Sequence, residues 1–201
     1  MTHITPKDPD SIPELAPVLK MVEAAMGFVP TSMLTMAHWP ALMTSFSAFA
    51  GPVLNSGSID PGLKQLIAFV VSNAAGCRYC QAHTSHSAQS RGVSPEKIQA
   101  AFEFKTSDLF SEAEKAALDV ALHAGMVPNA VEAGHMEKLS EFYSERDVVE
   151  IVAVISLFGF LNRWNDTMAS TLEDTPKSFA TSQLADHGWQ AGKHGQLNQP
   201  L

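Results

Sequence analysis

Two long apolar segments restrict the folds open to this chain more than any other feature. One covers Leu63–Ala75, and the other, Val148–Trp164, is long enough to cross a protein core as one helix. Within the first segment, the apolar run Leu66–Val71 is compatible with a buried strand as well as with a helix. Asn-Gly and Asp-Gly hairpin signals are absent and alternating apolar–polar stretches are scarce. We therefore predict an all-α fold, a helical bundle.

Helix start and stop signals divide the rest of the chain. Residues 1–17 hold four prolines and are expected to form an extended arm before a first helix near Val18–Met26. Pro40 is expected to separate two short helices within Thr31–Leu54. The polar residues 175–201 are expected to form a C-terminal tail that is frayed or docked on a neighbouring subunit. Further helix starts are predicted at Pro95, at Pro128 and at two capping boxes, Ser111 with Glu114 and Ser144 with Asp147.

The two apolar segments also align with each other at a fixed offset. Lys64–Val70 aligns with Val149–Ile155, and Cys77–Cys80 then falls on Asn162–Asn165 without a gap. Few positions are identical, but an Arg followed by an aromatic residue occurs in both, which favours duplication. We predict two pseudo-repeated core halves, of which the first kept the thiols.

Composition excludes several classes of partner. The formal net charge is −8, from 13 Lys and Arg against 21 Asp and Glu, which argues against nucleic acid or an anionic membrane as a partner. Charged residues make up only 17% of the chain, below the usual ~25%, so we expect part of the uncharged surface to be buried in a homo-oligomer. No secretory signal or membrane-spanning run is recognisable and the 2 cysteines are too few for a disulfide framework, so we expect a cytoplasmic protein.

The two cysteines, Cys77 and Cys80, form a CxxC motif directly after Gly76. The order strand, CxxC, helix is the thioredoxin arrangement, whereas helix, CxxC, helix gives an all-α redox protein, which the helix prediction favours. At a helix start, backbone N–H groups point at the Cys77 sulfur and lower its pKa, while Cys80 lies on nearly the same face at disulfide distance. A peroxide can oxidise one sulfur to a sulfenic acid. The other thiol can then condense with this sulfenic acid to form a disulfide. This chemistry needs neither a metal nor an organic cofactor.

The same segment offers a set of candidate zinc ligands. Cys77, Cys80, His83 and His86 follow one another at every third position. On a straight helix each such step turns by about −60°, so the four side chains fan across half of the circumference and cannot enclose one tetrahedral ion. We therefore expect these four residues not to form a metal site together. Two incidental buried thiols are the other non-catalytic alternative.

The sequence SNAAGCRYCQAHTSHSA around the two cysteines resembles the core motif of a known family, the alkylhydroperoxidase D-like, peroxidase-related branch of the carboxymuconolactone decarboxylase family. The resemblance extends from MGFVPTSM through FSEAEKAALDVALHA to FLNRWNDTMASTLED, which places a family-like core at residues 27–174 of a single domain. It implies an all-α bundle and association into dimers, trimers or hexamers. It also implies a peroxidase cycle whose disulfide is reduced by a dithiol partner of protein or lipoyl type.

Two positions depart from the family's peroxidase pattern, which has Glu twelve residues before the first cysteine and His four residues after the second. This chain has Gln65 and Thr84 there. Because Gln cannot accept and release a proton as Glu does, one member of the proton relay is missing. His83 comes one position early but can still reach the thiol, by a shifted geometry or through one water. The repeat aligns Glu150 with Gln65, so the second half is a candidate source of the carboxylate.

The predicted function is that of a thiol-dependent, alkylhydroperoxidase-like peroxidase acting on hydrogen peroxide or organic hydroperoxides. In this prediction Cys80 is the peroxidatic thiol, Cys77 the resolving thiol and His83 the proton acceptor. The choice between the cysteines stays open, because the helix start favours Cys77 as the more acidic thiol. Two other functions stay open as well. A lyase of the carboxymuconolactone decarboxylase type would not need the thiols, and a non-catalytic redox sensor would be compatible with the missing Glu.

The remaining candidates are assigned mainly structural roles. His86 is expected on the outer helical face or at a subunit contact. The other histidines of the C-terminal half are expected to be solvated or ordinary core residues; these are His123, His135, His187 and His194. Four apolar residues are candidates for the entrance of a pocket, namely Met33, Met36, Met43 and Phe46.

Overall fold

The computed structural model describes residues 2–195, and every structural statement below concerns that part of the chain. It contains helices and no strand, which confirms the all-α prediction. The α-helices are α1 Ala16–Met26, α2 Thr31–Met36, α3 Pro40–Asn55, α4 Pro61–Ala74, α5 Arg78–Ser90, α6 Pro95–Ala100, α7 Glu112–Gly125, α8 Ala133–Ser140, α9 Glu145–Met168 and α10 Asp174–Gln183.

Capping side chains explain where several of these helices begin. Asp60 accepts a hydrogen bond from the Leu63 N–H at the start of α4. Both predicted capping boxes are present, Ser111 with Glu114 at α7 and Ser144 with Asp147 at α9. These side chains satisfy N–H groups that have no partner inside the helix.

The predicted helix start at Pro128 is wrong. Helix α8 begins at Ala133, and Glu132 is its N-cap residue in a capping box with His135. The Ala130 N–H instead donates to the carbonyl of His123 and holds the intervening segment in a loop. The proline therefore lies in a connection, and the cap further along the chain decides the helix start.

Helix α4 lies at the centre of the bundle, between α5, α7 and α9. Every residue from Gly62 to Ser72 is buried, including Lys64 and Gln65. A helix that is apolar almost all round has to be covered on every side, which is why neighbours surround it. A second apolar cluster joins Ile12 and Leu15 of the N-terminal arm to α1, α2 and α3.

The N-terminal arm is less extended than its prolines predict. It forms two short 3-10 turns, Pro9–Ser11 and Pro13–Leu15, before α1. Backbone hydrogen bonds from His3 to Met168 and from Lys7 to Leu34 attach it to the helices.

The predicted pseudo-repeat is not confirmed. In the first half, α4 ends at Ala74 and a break with Gly76 at φ 75° precedes the CxxC motif. In the second half, α9 runs without interruption through Asn162–Asn165, the residues that align with the motif. Similar apolar patterns thus occur in a broken helix pair and in one continuous helix.

The C-terminal segment packs on its own chain. Helix α10 lies against α5, and the segment after it buries Trp189 and His194. The expectation of a polar tail that is frayed or docked on another subunit therefore needs correction for residues 175–195. This segment packs on its own chain, because its apolar and aromatic side chains pack against α5. Residues 196–201 of the predicted tail lie outside the described residues.

No helix among residues 2–195 combines the length and the apolar character needed to cross a membrane.

Candidate active site

The break between α4 and α5 places both thiols at a helix start. Gly76 adopts a left-handed conformation, with φ 75°, that a side chain would disfavour. Cys77 is then the N-cap residue of α5 and Cys80 lies in its first turn. Both are free thiols and both are buried, Cys77 at 0% and Cys80 at 2% exposure.

The two thiols differ in acidity. A hydrogen bond with the Cys80 thiol lowers the pKa of Cys77 against the effect of burial, and the backbone N–H groups of Cys80 and Tyr79 lower it further. Burial raises the pKa of Cys80 well above its usual range, and the neighbouring Cys77 adds to this rise. The Asn165 Nδ2 donates to the Cys80 sulfur at 3.4 Å. Cys77 is therefore the more acidic of the two thiols, as the helix start predicts.

His83 lies one turn after Cys80 and is paired with a carboxylate from a distant segment. Its Nε2 is 2.6 Å from Oε2 of Glu173, the N-cap residue of α10. The Tyr79 hydroxyl donates to the other oxygen of Glu173 at 2.9 Å, and the Tyr79 ring stacks on the His83 ring with centroids 4.3 Å apart. Burial opposes ionisation of Glu173, but the charge and hydrogen bond of His83 and the N–H of Thr31 keep the pKa of its carboxyl below the usual range.

The carboxylate that pairs with the histidine is therefore not Glu150. Glu150 lies 2.6 Å from the Lys64 ammonium, contacts Arg146, and accepts hydrogen bonds from the N–H groups of Ser58 and Ile59. These contacts anchor the loop before α4. Because α9 places Glu150 near the start of α4, this carboxylate has a structural environment and does not reach His83 through any described contact.

The two positions that depart from the family pattern have different surroundings. Gln65 is buried on α4 and lines the same cavity as Cys80 and His83. The Thr84 hydroxyl donates back to the carbonyl of Cys80 at 2.7 Å, so it is engaged within its own helix. A neutral amide and a hydroxyl thus occupy places where the pattern has ionisable groups.

An apolar cavity of about 270 Å³ is lined by Cys80 and His83. Tyr79, Gln65 and Thr84 contribute further polar groups to its lining. Most of the wall is apolar, and helices α1, α2, α3 and α9 contribute Met21, Met26, Met33, Phe46, Phe158 and Leu161. A cavity with apolar walls and a few polar groups is typical of small-molecule sites.

The other candidates from the sequence divide between this cavity and the core. Met33 and Phe46 line the cavity as expected, whereas Met36 and Met43 are completely buried in the second apolar cluster. His86 is half-buried, lines the cavity and packs edge-on against Phe179 of α10, so it does not lie on an open outer face. Its expected role at a subunit contact stays a prediction.

Sequence reasoning missed Glu173, Asn165 and His194. Glu173 contacts His83, which lies 90 positions earlier in the chain, and Asn165 contacts Cys80, which lies 85 positions earlier. No local spacing connects them to the CxxC motif. The one local feature of these residues is that Glu173 is the N-cap residue of α10, and this feature indicates a helix start rather than a proton relay.

Comparison with known families and proteins gives consistent results. Residues 40–123 match the model of the carboxymuconolactone decarboxylase family. Protein YdfG of Bacillus subtilis (strain 168) is 30% identical over 110 residues, which cover 54% of this chain and 72% of that protein.

Solved structures extend the similarity over most of the chain. The debrominase Bmp8 is 39% identical with a TM-score of 0.84, and the alignment covers 90% of this chain and 97% of Bmp8. A cysteine-to-alanine variant of Bmp8, in complex with 2,3,4-tribromopyrrole, superposes equally well, with a TM-score of 0.85. A peroxidase-related protein from Ralstonia eutropha JMP134 with an alkylhydroperoxidase AhpD core is 24% identical, with a TM-score of 0.78 over 89% of this chain and 95% of that one, which supports the fold.

Proposed function

The chain belongs to the carboxymuconolactone decarboxylase family, and from that premise we propose that it is a thiol-dependent peroxidase of the alkylhydroperoxidase-like type. The family includes enzymes of several kinds, so the choice among these activities has to rest on the residues of the candidate site. The observation that carries the proposal is that Cys80 lines an apolar cavity beside the His83–Glu173 pair, with a second thiol within hydrogen-bond reach.

Cys80 is the peroxidatic thiol in this proposal because it lines the cavity, whereas Cys77 is not among the lining residues. Its raised pKa means that a base has to remove its proton before attack. The Nε2 of His83 faces the Glu173 carboxylate and therefore carries a proton, which leaves Nδ1 free to accept another. Glu173 fixes this tautomer and stabilises the imidazolium that forms, as a positioning residue.

The cycle balances without a metal or an organic cofactor. The Cys80 thiolate attacks the terminal oxygen of the hydroperoxide, the O–O bond breaks, and the alkoxide takes a proton from His83 and leaves as the alcohol. The Cys77 thiolate then attacks the sulfur of the Cys80 sulfenic acid and forms the disulfide, and the departing hydroxide takes a proton from solvent and leaves as water. An external dithiol, on a protein or a lipoyl group, returns both thiols to the reduced state by exchange.

The walls of the cavity favour an organic hydroperoxide over hydrogen peroxide. Met21, Met26 and Phe158 are among the side chains that an apolar substituent would contact. Burying such a substituent contributes about 25 cal/mol per Å² of apolar surface, which hydrogen peroxide cannot provide. We expect kcat/KM for cumene hydroperoxide to exceed that for hydrogen peroxide.

The test combines turnover with chemical trapping. With dihydrolipoamide as reductant, wild-type protein is expected to consume hydroperoxide, and mass spectrometry of oxidised protein should identify a Cys77–Cys80 disulfide. Cys80→Ser should abolish consumption, while Cys77→Ser should accumulate a sulfenic acid on Cys80 that a dimedone probe traps. His123→Ala, on α7 outside the cavity, serves as the control with unchanged turnover. Equal consumption by wild type and the double serine variant would refute the proposal and favour a lyase or a non-catalytic role.

A second candidate function rests on the similarity to Bmp8, which covers 97% of that debrominase. The same two thiols can supply two electrons to a bromoarene, with loss of bromide, gain of a proton by the ring and formation of the disulfide. Bromide release from 2,3,4-tribromopyrrole, measured by ion chromatography beside hydroperoxide consumption, separates the two candidates. Release faster than peroxide turnover would make debromination the function.

We also propose that the protein acts as a cytoplasmic homo-oligomer. Several large apolar side chains remain exposed on the single chain, among them Trp39 at 66% and Val149 at 68%. Light scattering at micromolar concentration should report a mass above the 21.6 kDa of one chain. A monomer would contradict this expectation.

A further inference from the structure

A second cluster of polar side chains surrounds the Cys77 sulfur. It consists of Cys77, Asp166 near the end of α9, and His194 in the C-terminal segment. One ligand-type atom from each residue lies within 4.8 Å of the corresponding atoms of the other two. His194 Nε2 is 3.5 Å from Asp166 Oδ1. None of these three residues lines the cavity at Cys80.

The protonation of His194 leaves one nitrogen available. Its Nδ1 lies 2.8 Å from the carbonyl oxygen of Ser170, and because a carbonyl only accepts, Nδ1 carries the hydrogen. The residue is 1% exposed, and Nε2 has no hydrogen-bond partner among the described residues. With the hydrogen on Nδ1, the Nε2 of the neutral ring carries a lone pair, and Asp166 Oδ1 lies 3.5 Å from it. A buried acceptor without a donor is costly, and a bound cation would satisfy it.

Cys77 and Asp166 complement this nitrogen. Cys77 is the N-cap residue at the start of α5, and its sulfur in the thiolate form is the metal ligand. The Lys193 ammonium lies 2.8 Å from Oδ2 of Asp166, while Oδ1 faces His194. The Asp166 side chain is 45% exposed and borders a groove along α9, so an ion can reach the cluster from solvent.

We propose that Cys77, Asp166 and His194 bind a divalent transition-metal ion of the zinc type. Thiolate, imidazole and carboxylate are the three ligand classes that zinc uses, and tetrahedral bond lengths place such atoms about 3.3 to 3.6 Å apart. The spacing between His194 Nε2 and Asp166 Oδ1 already has this value. The bond from Nδ1–H to the Ser170 carbonyl is the outer contact that orients a ligating histidine. Binding releases the Cys77 proton to solvent, and water completes the coordination.

A cluster of similar composition elsewhere lacks these properties. Asp119, His123 and His135 also bring ligand-type atoms together. However, Nδ1 of His135 accepts the N–H of Glu132, so its Nε2 carries the proton and offers no lone pair. His123 and His135 are also half-buried, whereas His194 is 1% exposed. This cluster therefore provides a matched control.

Metal binding has a consequence for the thiols, which rests on the proposed function. A Cys77 thiolate that is bound to a metal cannot attack a sulfenic acid on Cys80, so the metal-bound protein cannot complete the disulfide. The disulfide form in turn has no Cys77 thiolate to offer. Metal binding and oxidation are thus mutually exclusive states of one sulfur.

Cobalt(II) tests the site without reference to turnover. Reduced full-length protein titrated with Co²⁺ should develop a thiolate-to-cobalt charge-transfer band and intense visible bands of tetrahedral coordination, saturating at one equivalent. Added Zn²⁺ should abolish both. Cys77→Ser and His194→Ala should lose the charge-transfer band, while Cys80→Ser and His123→Ala should keep it.

Two results would overturn the site: a charge-transfer band that persists in Cys77→Ser, or no band in wild type at a several-fold excess of Co²⁺. If His194→Ala does not fold, the half-exposed Asp166→Asn should weaken Co²⁺ binding at least tenfold, and unchanged affinity would count against the site. Because the spectra need no peroxide, a failed peroxidase assay leaves this test intact. If both proposals hold, Zn²⁺ should inhibit hydroperoxide consumption by wild type reversibly on chelation.

Discussion

The imidazole of His83 and the carboxylate of Glu173 lie 2.6 Å apart, although 90 residues separate them along the chain. Helix α10 provides this contact, because Glu173 is its N-cap residue and α10 packs on α5. In the proposed cycle Glu173, from the C-terminal segment, is the carboxylate partner of the histidine. Gln65, at the position where the peroxidase pattern has Glu, lines the cavity as a neutral amide.

We expect His83 and Glu173 to act as one unit in catalysis. His83→Ala should lower kcat/KM for cumene hydroperoxide by roughly 10²-fold, the lower range for a positioned acid–base group. Glu173→Gln should lower it less, because the imidazole remains but loses its fixed tautomer. The double variant should be no slower than His83→Ala alone, since coupled groups are not additive. Independent, multiplicative losses would show that Glu173 does not act through His83.

The raised pKa of Cys80 predicts how the rate depends on pH once the base is removed. Below that pKa the thiolate fraction rises about tenfold per pH unit, so the rate of His83→Ala should climb steadily from about pH 6 to about pH 9. Wild type should show a flatter profile, because His83 assists deprotonation near neutral pH. The measurement is initial rate against pH at subsaturating hydroperoxide. Parallel profiles for the two proteins would contradict a role of His83 as base.

The lowered pKa of Glu173 predicts a stability difference that disappears in acid. A carboxyl whose folded-state pKa lies below its unfolded value of about 4.3 stabilises the fold above that value, and this contribution is lost as pH falls through the folded pKa. The gap in free energy of unfolding between wild type and Glu173→Gln should therefore narrow between about pH 6 and about pH 3. Urea unfolding at several pH values measures it. Glu137→Gln, at an exposed position on α8, is the control and should show a small gap throughout.

Two glycines with positive φ should respond differently to a methyl group. Gly27, at φ 82°, ends α1 and has open space around it, so Gly27→Ala should cost about 1–2 kcal/mol of strain. Gly57, at φ 103°, faces the Glu150 carboxylate, which a Cβ would displace from the buried ammonium of Lys64. Breaking a buried ion pair costs about 3–5 kcal/mol, so Gly57→Ala should be the more destabilising by a clear margin in urea unfolding. Similar losses at both positions would show that the Lys64–Glu150 pair tolerates movement.

The sequence by itself determined the features that depend on neighbours along the chain. Capping boxes predict where α7 and α9 begin, and the apolar run within α4 predicts a buried segment, because a few adjacent residues decide hydrogen bonding and burial. The CxxC motif at a helix start likewise predicts the lower pKa of Cys77, since the Cys80 thiol and the backbone N–H groups that lower it are all within three residues. Where the local signal was weaker, at Pro128, the cap at Glu132 overrode it.

Only the tertiary structure decided which distant groups meet the two sulfurs. Glu150 and Glu173 are both acidic residues outside the motif, yet one anchors Lys64 and the other pairs with His83. His194, expected in a polar tail, is buried beside Asp166 because the C-terminal segment folds back over α5. Such contacts leave no periodicity or spacing in the sequence. They arise from how helices that are each locally determined pack their apolar faces, and packing brings together polar groups from opposite ends of the chain.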